Sequence, residues 1–233
     1  ADGNTAFVAD RGDGIDIIDV SNLSSPSLTG TYDTSGSANS VTLSADGNTA
    51  FVADYSSGLQ IIDVSNPASP SLTATYDTSG AAYGVTLSAD GDTAFVADYS
   101  DGLDIIDVSN PASPSLTGTY NTSGNAEDVA LSADGNTAFV ADRAHGLDII
   151  DVSNHASPTL IGNLDTSSNA YKLKLSADGK TAFVADGGSG LQIIDIAELF
   201  ANGDDSVATS PSLTGSFDPP GSGTIYDVTL SAD

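Results

Sequence analysis

"LSADGNTAFVAD" at Leu43–Asp54 returns as "LSADGDTAFVAD" at Leu87–Asp98, "LSADGNTAFVAD" at Leu131–Asp142 and "LSADGKTAFVAD" at Leu175–Asp186. The starts are 44 residues apart, and the chain opens inside the same phrase at "ADGNTAFVAD". A fixed period of this size signals a solenoid, a propeller or an array, and it outranks any local reading. Units begin at Ala1, Ala45, Ala89, Ala133 and Ala177, giving repeats 1–44, 45–88, 89–132, 133–176 and 177–231, all within a single domain, 1–233. The fifth repeat is longer by 11 residues.

Each unit contains four short runs rich in β-branched and aromatic residues. In the second these are "TAFVAD" (Thr49–Asp54), "LQIIDV" (Leu59–Val64), "SLTATYDT" (Ser71–Thr78) and "YGVTLS" (Tyr83–Ser88). Gly, Asp, Asn and Pro clusters separate them, which predicts an all-β chain. "LQIIDV" is apolar on both sides, as a strand covered on both faces must be. Naming the strands A ("VTLS"), B ("TAFVAD"), C ("LQIIDV") and D ("SLTATYDT"), the four form an antiparallel blade, and stacked blades form a propeller. The chain holds five strands of each kind, so the expected fold is a five-bladed β-propeller. The last A strand, 225–231, is expected to complete the N-terminal blade and close the ring, removing exposed edges. The repeated Phe7, Phe51, Phe95, Phe139 and Phe183 are read as wedges between blades. The extra residues fall in "AELFANGDDSVAT" (Ala197–Thr209) and "DPPGSGT" (Asp218–Thr224), with Leu199 and Phe200 as the expected anchor of a short helical turn.

"TAFVAD", "GLQIIDVSNPASPSL" (Gly58–Leu72) and "AAYGVTLS" (Ala81–Ser88) together resemble the LVIVD repeat of bacterial and archaeal propellers, unit after unit across the chain. The resemblance implies the propeller fold and a secreted or surface location. It implies no particular activity, since most relatives have none assigned.

The chain has 32 acidic and 5 basic residues, a formal net charge of -27, and no Cys, Met or Trp. Such a field repels nucleic acid and anionic membranes, so no nucleic-acid partner is expected. Thiol catalysis and disulfides are excluded. No apolar run reaches the length of a bilayer span, so no membrane insertion is expected. The first residue is Ala, which reads as a processed or excised piece of a longer chain.

Function is sought where the repeats differ, because the scaffold does not dictate those residues. Between strands B and C the loops carry Arg11 and Asp13, Tyr55, Tyr99 and Asp101, Arg143 and His145. At the head of strand A stand Tyr83, Glu127, Asp128, Tyr171, Lys172, Tyr226 and Asp227. In an antiparallel blade these two connections share one end of the strands. That face is the predicted ligand-binding face, since loops on a rigid scaffold carry function. Its aromatic, cationic and carboxylate groups suit a sugar or a polar peptide.

Two loops, "DRGDGID" (Asp10, Asp13, Asp16) and "DYSDGLD" (Asp98, Asp101, Asp104), place three carboxylates within seven residues, a pattern that suits calcium. The reading that competes with it makes Asp54 and Asp98 strand-end turn formers. No cofactor is required. With two His, a multi-histidine metal site is excluded. Glu127 and Asp128 stand where a five-bladed propeller glycosidase would place a carboxylate pair, but such enzymes draw their acids from several blades. The expectation is therefore a noncatalytic, extracellular or cell-surface binding module whose partner is a surface protein or a polysaccharide. The alternatives are a structural subunit of a surface layer or filament, joined to copies or to further domains, and a glycoside-active propeller enzyme.

Overall fold

The computed structural model describes residues 3–200, 211–219 and 223–231. The chain forms two compact units, Ala1–Thr117 and Gly118–Asp233. Residues 201–209 of the long insertion, residues 220–222 of the shorter one, and Ala232 and Asp233 lie outside the described residues, as does the Phe200 side chain.

The described strands form five antiparallel sheets. The first has three strands, β1 (Thr5–Asp10), β2 (Gly14–Asp19) and β3 (Ser27–Tyr32), in that order. The second runs β4 (Ser40–Leu43), β5 (Thr49–Ala53), β6 (Leu59–Asp63), β7 (Ser71–Tyr76). The third runs β8 (Gly84–Leu87), β9 (Thr93–Ala97), β10 (Leu103–Asp107), β11 (Ser115–Tyr120), with the boundary between the two units falling in β11. The fourth is β12 (Asp128–Leu131), β13 (Thr137–Ala141), β14 (Leu147–Asp151), β15 (Thr159–Leu164). The fifth is β16 (Lys172–Leu175), β17 (Thr181–Ala185), β18 (Leu191–Asp195), β19 (Ser212–Phe217). Every sheet is thus a meander in which neighbours in sequence pair, as the A-B-C-D reading requires.

The predicted closing strand is not formed. Within 225–231 only Ile225 makes a bridge, to Gly187, and the remaining residues are irregular. The Asp227 carboxylate accepts a hydrogen bond from the next residue's N–H, Val228, at 2.8 Å. A local bond of this kind removes a donor that a strand ladder would use.

Local chemistry sets each turn. Between strands A and B, the Ser44 hydroxyl donates to Asp46 Oδ1 at 2.6 Å, and Asn48 N–H donates to the same oxygen at 3.0 Å. At the end of strand C, Asp63 Oδ1 accepts from Ser65 N–H at 2.9 Å, and Asp107 does the same with Ser109. The outer strand carries a bulge: Ile61 faces Ala74 and Ile62 faces Leu72, leaving Thr73 over. The same shift recurs in the first, fourth and fifth sheets. A bulged edge is a poor template for pairing with another chain.

The core lies between consecutive sheets of one unit. In the first unit Phe51, Leu59 and Ile61 pack with Val85, Val96 and Ile106 of the following sheet, while Ile15 and Ile17 pack with Val52 and Ile62. In the second, Phe139, Leu147 and Ile149 pack with Leu173, Val184 and Ile194. Leu199, on the short 3-10 turn Ala197–Phe200, packs on this second core, as the sequence predicted. Phe51, Phe95 and Phe139 are fully buried, whereas Phe7 and Phe183 are only half-buried. Phe51 and Phe139 pack between consecutive sheets as the wedge reading requires, and Phe95 is fully buried. Consecutive sheets also meet at their outer edge: a Cβ at Gly30 of β3 would stand 2.2 Å from the Pro67 carbonyl oxygen.

A buried side chain of this size contributes several kcal/mol, so Phe95→Ala is expected to lower unfolding free energy by about 3–5 kcal/mol. Phe183→Ala should cost visibly less, because its ring is already partly exposed. Urea titration of the two variants checks both statements.

Candidate functional site

The ends of the B strands of the second to fifth repeats are each tied to the preceding repeat by a buried aspartate. Asp54 accepts from the Thr34 hydroxyl at 2.6 Å on Oδ1 and from Gly36 N–H at 2.9 Å on Oδ2. Asp98 does so with Thr78 and Gly80, Asp142 with Thr122 and Gly124, and Asp186 with Thr166 and Ser168. All four carboxylates are completely buried. Burial pushes their pKa up and the two donated bonds pull it back. The expected turn-forming role is therefore correct in kind, but the donors come from 18–20 residues upstream. Each aspartate fastens the connection after strand D of one repeat beneath the B–C loop of the next.

Directly after these aspartates come Tyr55, Tyr99 and Arg143, three non-glycine residues held at φ of 50°, 46° and 41°. The fifth repeat has Gly187 there, at φ 51°. A left-handed backbone costs a side-chain-bearing residue roughly 1–2 kcal/mol. Tyr55 exchanges two 2.9 Å backbone bonds with Ala82, and Arg143 bridges Ala170 in the same way. These bridges bring the B–C loop of one repeat against the head of strand A of the next. Crowding explains the glycine: a Cβ at Gly187 would lie 3.0 Å from Ser168 Oγ, and Ser168 stands where the other repeats have Gly36, Gly80 and Gly124. At Gly36, Gly80 and Gly124 the crowding has another source, since a Cβ there would stand 2.1, 2.4 and 2.5 Å from the carbonyl oxygens of Asp54, Asp98 and Asp142.

The variable residues consequently meet. In the first unit the Tyr55 ring lies edge-on to Tyr83 at 5.6 Å, and Tyr83 stacks on Tyr99 at 4.9 Å with 21° between planes. Arg11 and Asp13 are exposed in the first B–C loop. In the second unit Arg143 Nε stands 3.0 Å from Glu127 Oε1, and its guanidinium lies over the Tyr171 ring at 5.4 Å. Tyr171 meets Tyr226 at 5.0 Å. Lys172 Nζ is 3.3 Å from Asp128 Oδ1, whose other oxygen accepts from Leu173 N–H. His145 is exposed, its N–H donating to the Asp142 carbonyl, and Asp227 is exposed beside Tyr226.

The two carboxylate triplets separate by burial. Asp10 and Asp13 are exposed and Asp16 is half-buried on β2. Asp98 is fully buried on Thr78 and Gly80, Asp101 is half-exposed, and Asp104 is nearly buried on β10. Among the described residues no three His, Asp or Glu side chains form a group that could hold a metal ion.

The second residue of the C strand is Asp16, Gln60, Asp104, Asp148 and Gln192 in turn, on an otherwise apolar run; Asp16 and Asp104 were expected as calcium ligands, and the other three carried no expectation. Gln60 donates to the Ser57 carbonyl at 2.7 Å and accepts from the Thr75 hydroxyl at 2.8 Å. Asp148 accepts from Asn163 Nδ2 at 2.6 Å, and burial raises its pKa to about 6. Asp104 is raised to about 7, first by burial and then by Asp98 and Asp101. The recurrence of an amide at this position was the signal: it is the shape of a protonated acid.

In the native chain Asp104 thus holds its proton to higher pH than in the unfolded chain. Its contribution is fully present below about 4 and is lost as pH rises through about 7. Asp104→Asn, which keeps the protonated shape, should stabilise the protein at pH 8 by up to about 4 kcal/mol and flatten the stability curve between pH 4 and 7. Urea midpoints of both proteins across that range are the check. Thr78→Val, which strips one donor from buried Asp98, should cost roughly 1.5–3 kcal/mol in the same titration.

Among solved structures, a Lactobacillus plantarum protein is similar with a TM-score of 0.77 and 16% identity over 94% of this chain and 69% of its own. A candidate 6-phosphogluconolactonase of Bacteroides fragilis NCTC 9343 gives 0.75 and 15%, over 92% and 67%. The β-propeller domain of Myceliophteria thermophila Cps50 (Swd1) gives 0.70 and 15%, over 94% and 73%. At these identities the likeness concerns the fold alone, and it makes the five sheets propeller blades. No curated protein matches the chain. The LVIVD repeat matches five times, at residues 1–34, 35–78, 79–122, 123–166 and 172–219. Its internal boundaries fall in the connection before strand A, so that one match spans one blade. With nearly every residue inside a match, the chain belongs to the LVIVD repeat family.

Proposed function

We propose that the chain is a noncatalytic binding module of the cell surface or extracellular space, which engages its partner through the B–C and D–A loop face. The carrying observation is the division of labour between repeated and variable positions. Residues identical from repeat to repeat bury the core and tie the blades. Those that differ, Tyr55, Tyr83 and Tyr99 in one unit and Glu127, Arg143, Tyr171 and Tyr226 in the other, are brought into contact around the loops. Two tyrosines and an arginine occupy strained backbone there, and such strain clusters at functional positions. Glu127 and Asp128, the candidates for a hydrolytic pair, are engaged by Arg143 and Lys172, which favours binding over acid catalysis. The reading needs no cofactor. Its partner classes are a surface polysaccharide or a surface protein.

An array of oligosaccharides and peptides probed with the purified chain tests this. The probes retained by the wild type should be lost by Tyr83→Ala and by Tyr171→Ala, with the unfolding midpoint nearly unmoved. Asp63→Asn, at the other end of the strands, should retain them. Retention that survives both tyrosine changes but fails with Asp63→Asn places binding elsewhere.

A further inference from the structure

Resting on that reading of the face, we propose that the Tyr55–Tyr83 ring pair in the first unit receives the guanidinium group of an arginine-bearing peptide. Three independent features lead to this ligand.

The first is an internal precedent. Tyr55 and Tyr83 occupy the same two repeat positions as Arg143 and Tyr171, one after the buried aspartate and one at the head of the next A strand. In the second unit this pair of positions already holds a guanidinium over a tyrosine ring, at 5.4 Å, with the Glu127 carboxylate 3.0 Å from its Nε. The scaffold therefore builds the spacing that suits a planar cation on an aromatic face. Where the second unit supplies the cation from its own chain, the first supplies another ring.

The second feature is the geometry of Tyr55. The residue is 42% exposed, yet its backbone is pinned by two bonds to Ala82 in a left-handed conformation. An exposed ring held in place loses little freedom when a ligand stacks on it, which is the advantage of preorganisation. Its edge contact with Tyr83 sets two ring surfaces at 72°, a corner and not a flat patch.

The third is charge. Residues 1–117 carry sixteen aspartates and a single cation, Arg11, whereas residues 118–233 hold the other four basic residues. Asp33 acts on Asp54, the residue directly before Tyr55, and Asp77 and Asp98 both act on Tyr76 of the same sheet. Anions are repelled from such a field and neutral sugars gain nothing from it. A guanidinium gains from both field and rings, and its flat, weakly hydrated face stacks better than an ammonium.

The experiment is fluorescence anisotropy with a labelled Arg-Gly repeat peptide, against Lys-Gly and Gln-Gly peptides of equal length, at low and at physiological salt. The Arg-Gly peptide should bind, the Lys-Gly peptide about five- to tenfold more weakly, and the Gln-Gly peptide not at all. Tyr55→Ala and Tyr83→Ala should each weaken Arg-Gly binding about fivefold or more, and Tyr55→Phe should keep it, because the ring and not the hydroxyl is used. The double change Asp63→Asn with Asp107→Asn, at the far end of the strands, should leave affinity within about twofold. Equal binding of Arg-Gly and Lys-Gly, or indifference to the tyrosines, overturns the proposal in favour of a general acidic field. No peptide binding, with array oligosaccharides still lost on Tyr83→Ala, overturns the guanidinium while leaving the face. Peptide binding that follows Asp63 and Asp107 and not the tyrosines overturns both.

Discussion

A carboxylate taken out of water must be given donors, and this single requirement orders the rest of the molecule. Asp54, Asp98, Asp142 and Asp186 are buried, and each finds a threonine hydroxyl and a backbone N–H on the repeat before it. Hydrophobic contact between blades is non-directional and would tolerate sliding. The two donated bonds are directional and fix where one blade's connection lies against the next blade's loop. The bridge from Tyr55 to Ala82 then forms two residues' reach away, and with it the juxtaposition of loop and strand head that carries the variable side chains.

Much of this was legible in the sequence. The 44-residue period, the four strands per unit and the buried face of "LQIIDV" all follow from spacing and composition, and the observed meanders agree. The variable positions were legible too, because a repeat protein supplies its own comparison between copies. What could not be read was which copies touch. Tyr55, Tyr83 and Tyr99 come from two B–C loops and one strand head, and their contact depends on the stacking of sheets, a tertiary event with no local signature.

Three further points escaped for different physical reasons. The aspartate of "AFVAD" was read as a local turn former, since local bonding is the usual habit of Asp at a strand end; its donors instead lie 18–20 residues upstream. That partner was written in plain view as "TSG" at 34–36, 78–80 and 122–124 and as "TSS" at 166–168. The acid at the second place of the C strand looked like part of a calcium loop in two repeats, as Asp16 and Asp104, and like nothing in the fourth, as Asp148. The tail at 225–231 has the right alternation for a strand, yet alternation specifies which face is apolar and not whether a ladder partner is in place.

The glycine that ends three of these connections sets how closely one blade can be drawn onto the next. Gly36, Gly80 and Gly124 have no Cβ to push against the carbonyl oxygens of Asp54, Asp98 and Asp142, and their N–H groups reach the carboxylates at 2.9, 2.7 and 2.7 Å. The fifth repeat carries Ser168 at this place, and its N–H stands 3.1 Å from Asp186. A repeat that gives up the glycine thus loosens its clasp on the blade before it, and the tightness of each joint is written in one residue of the connection.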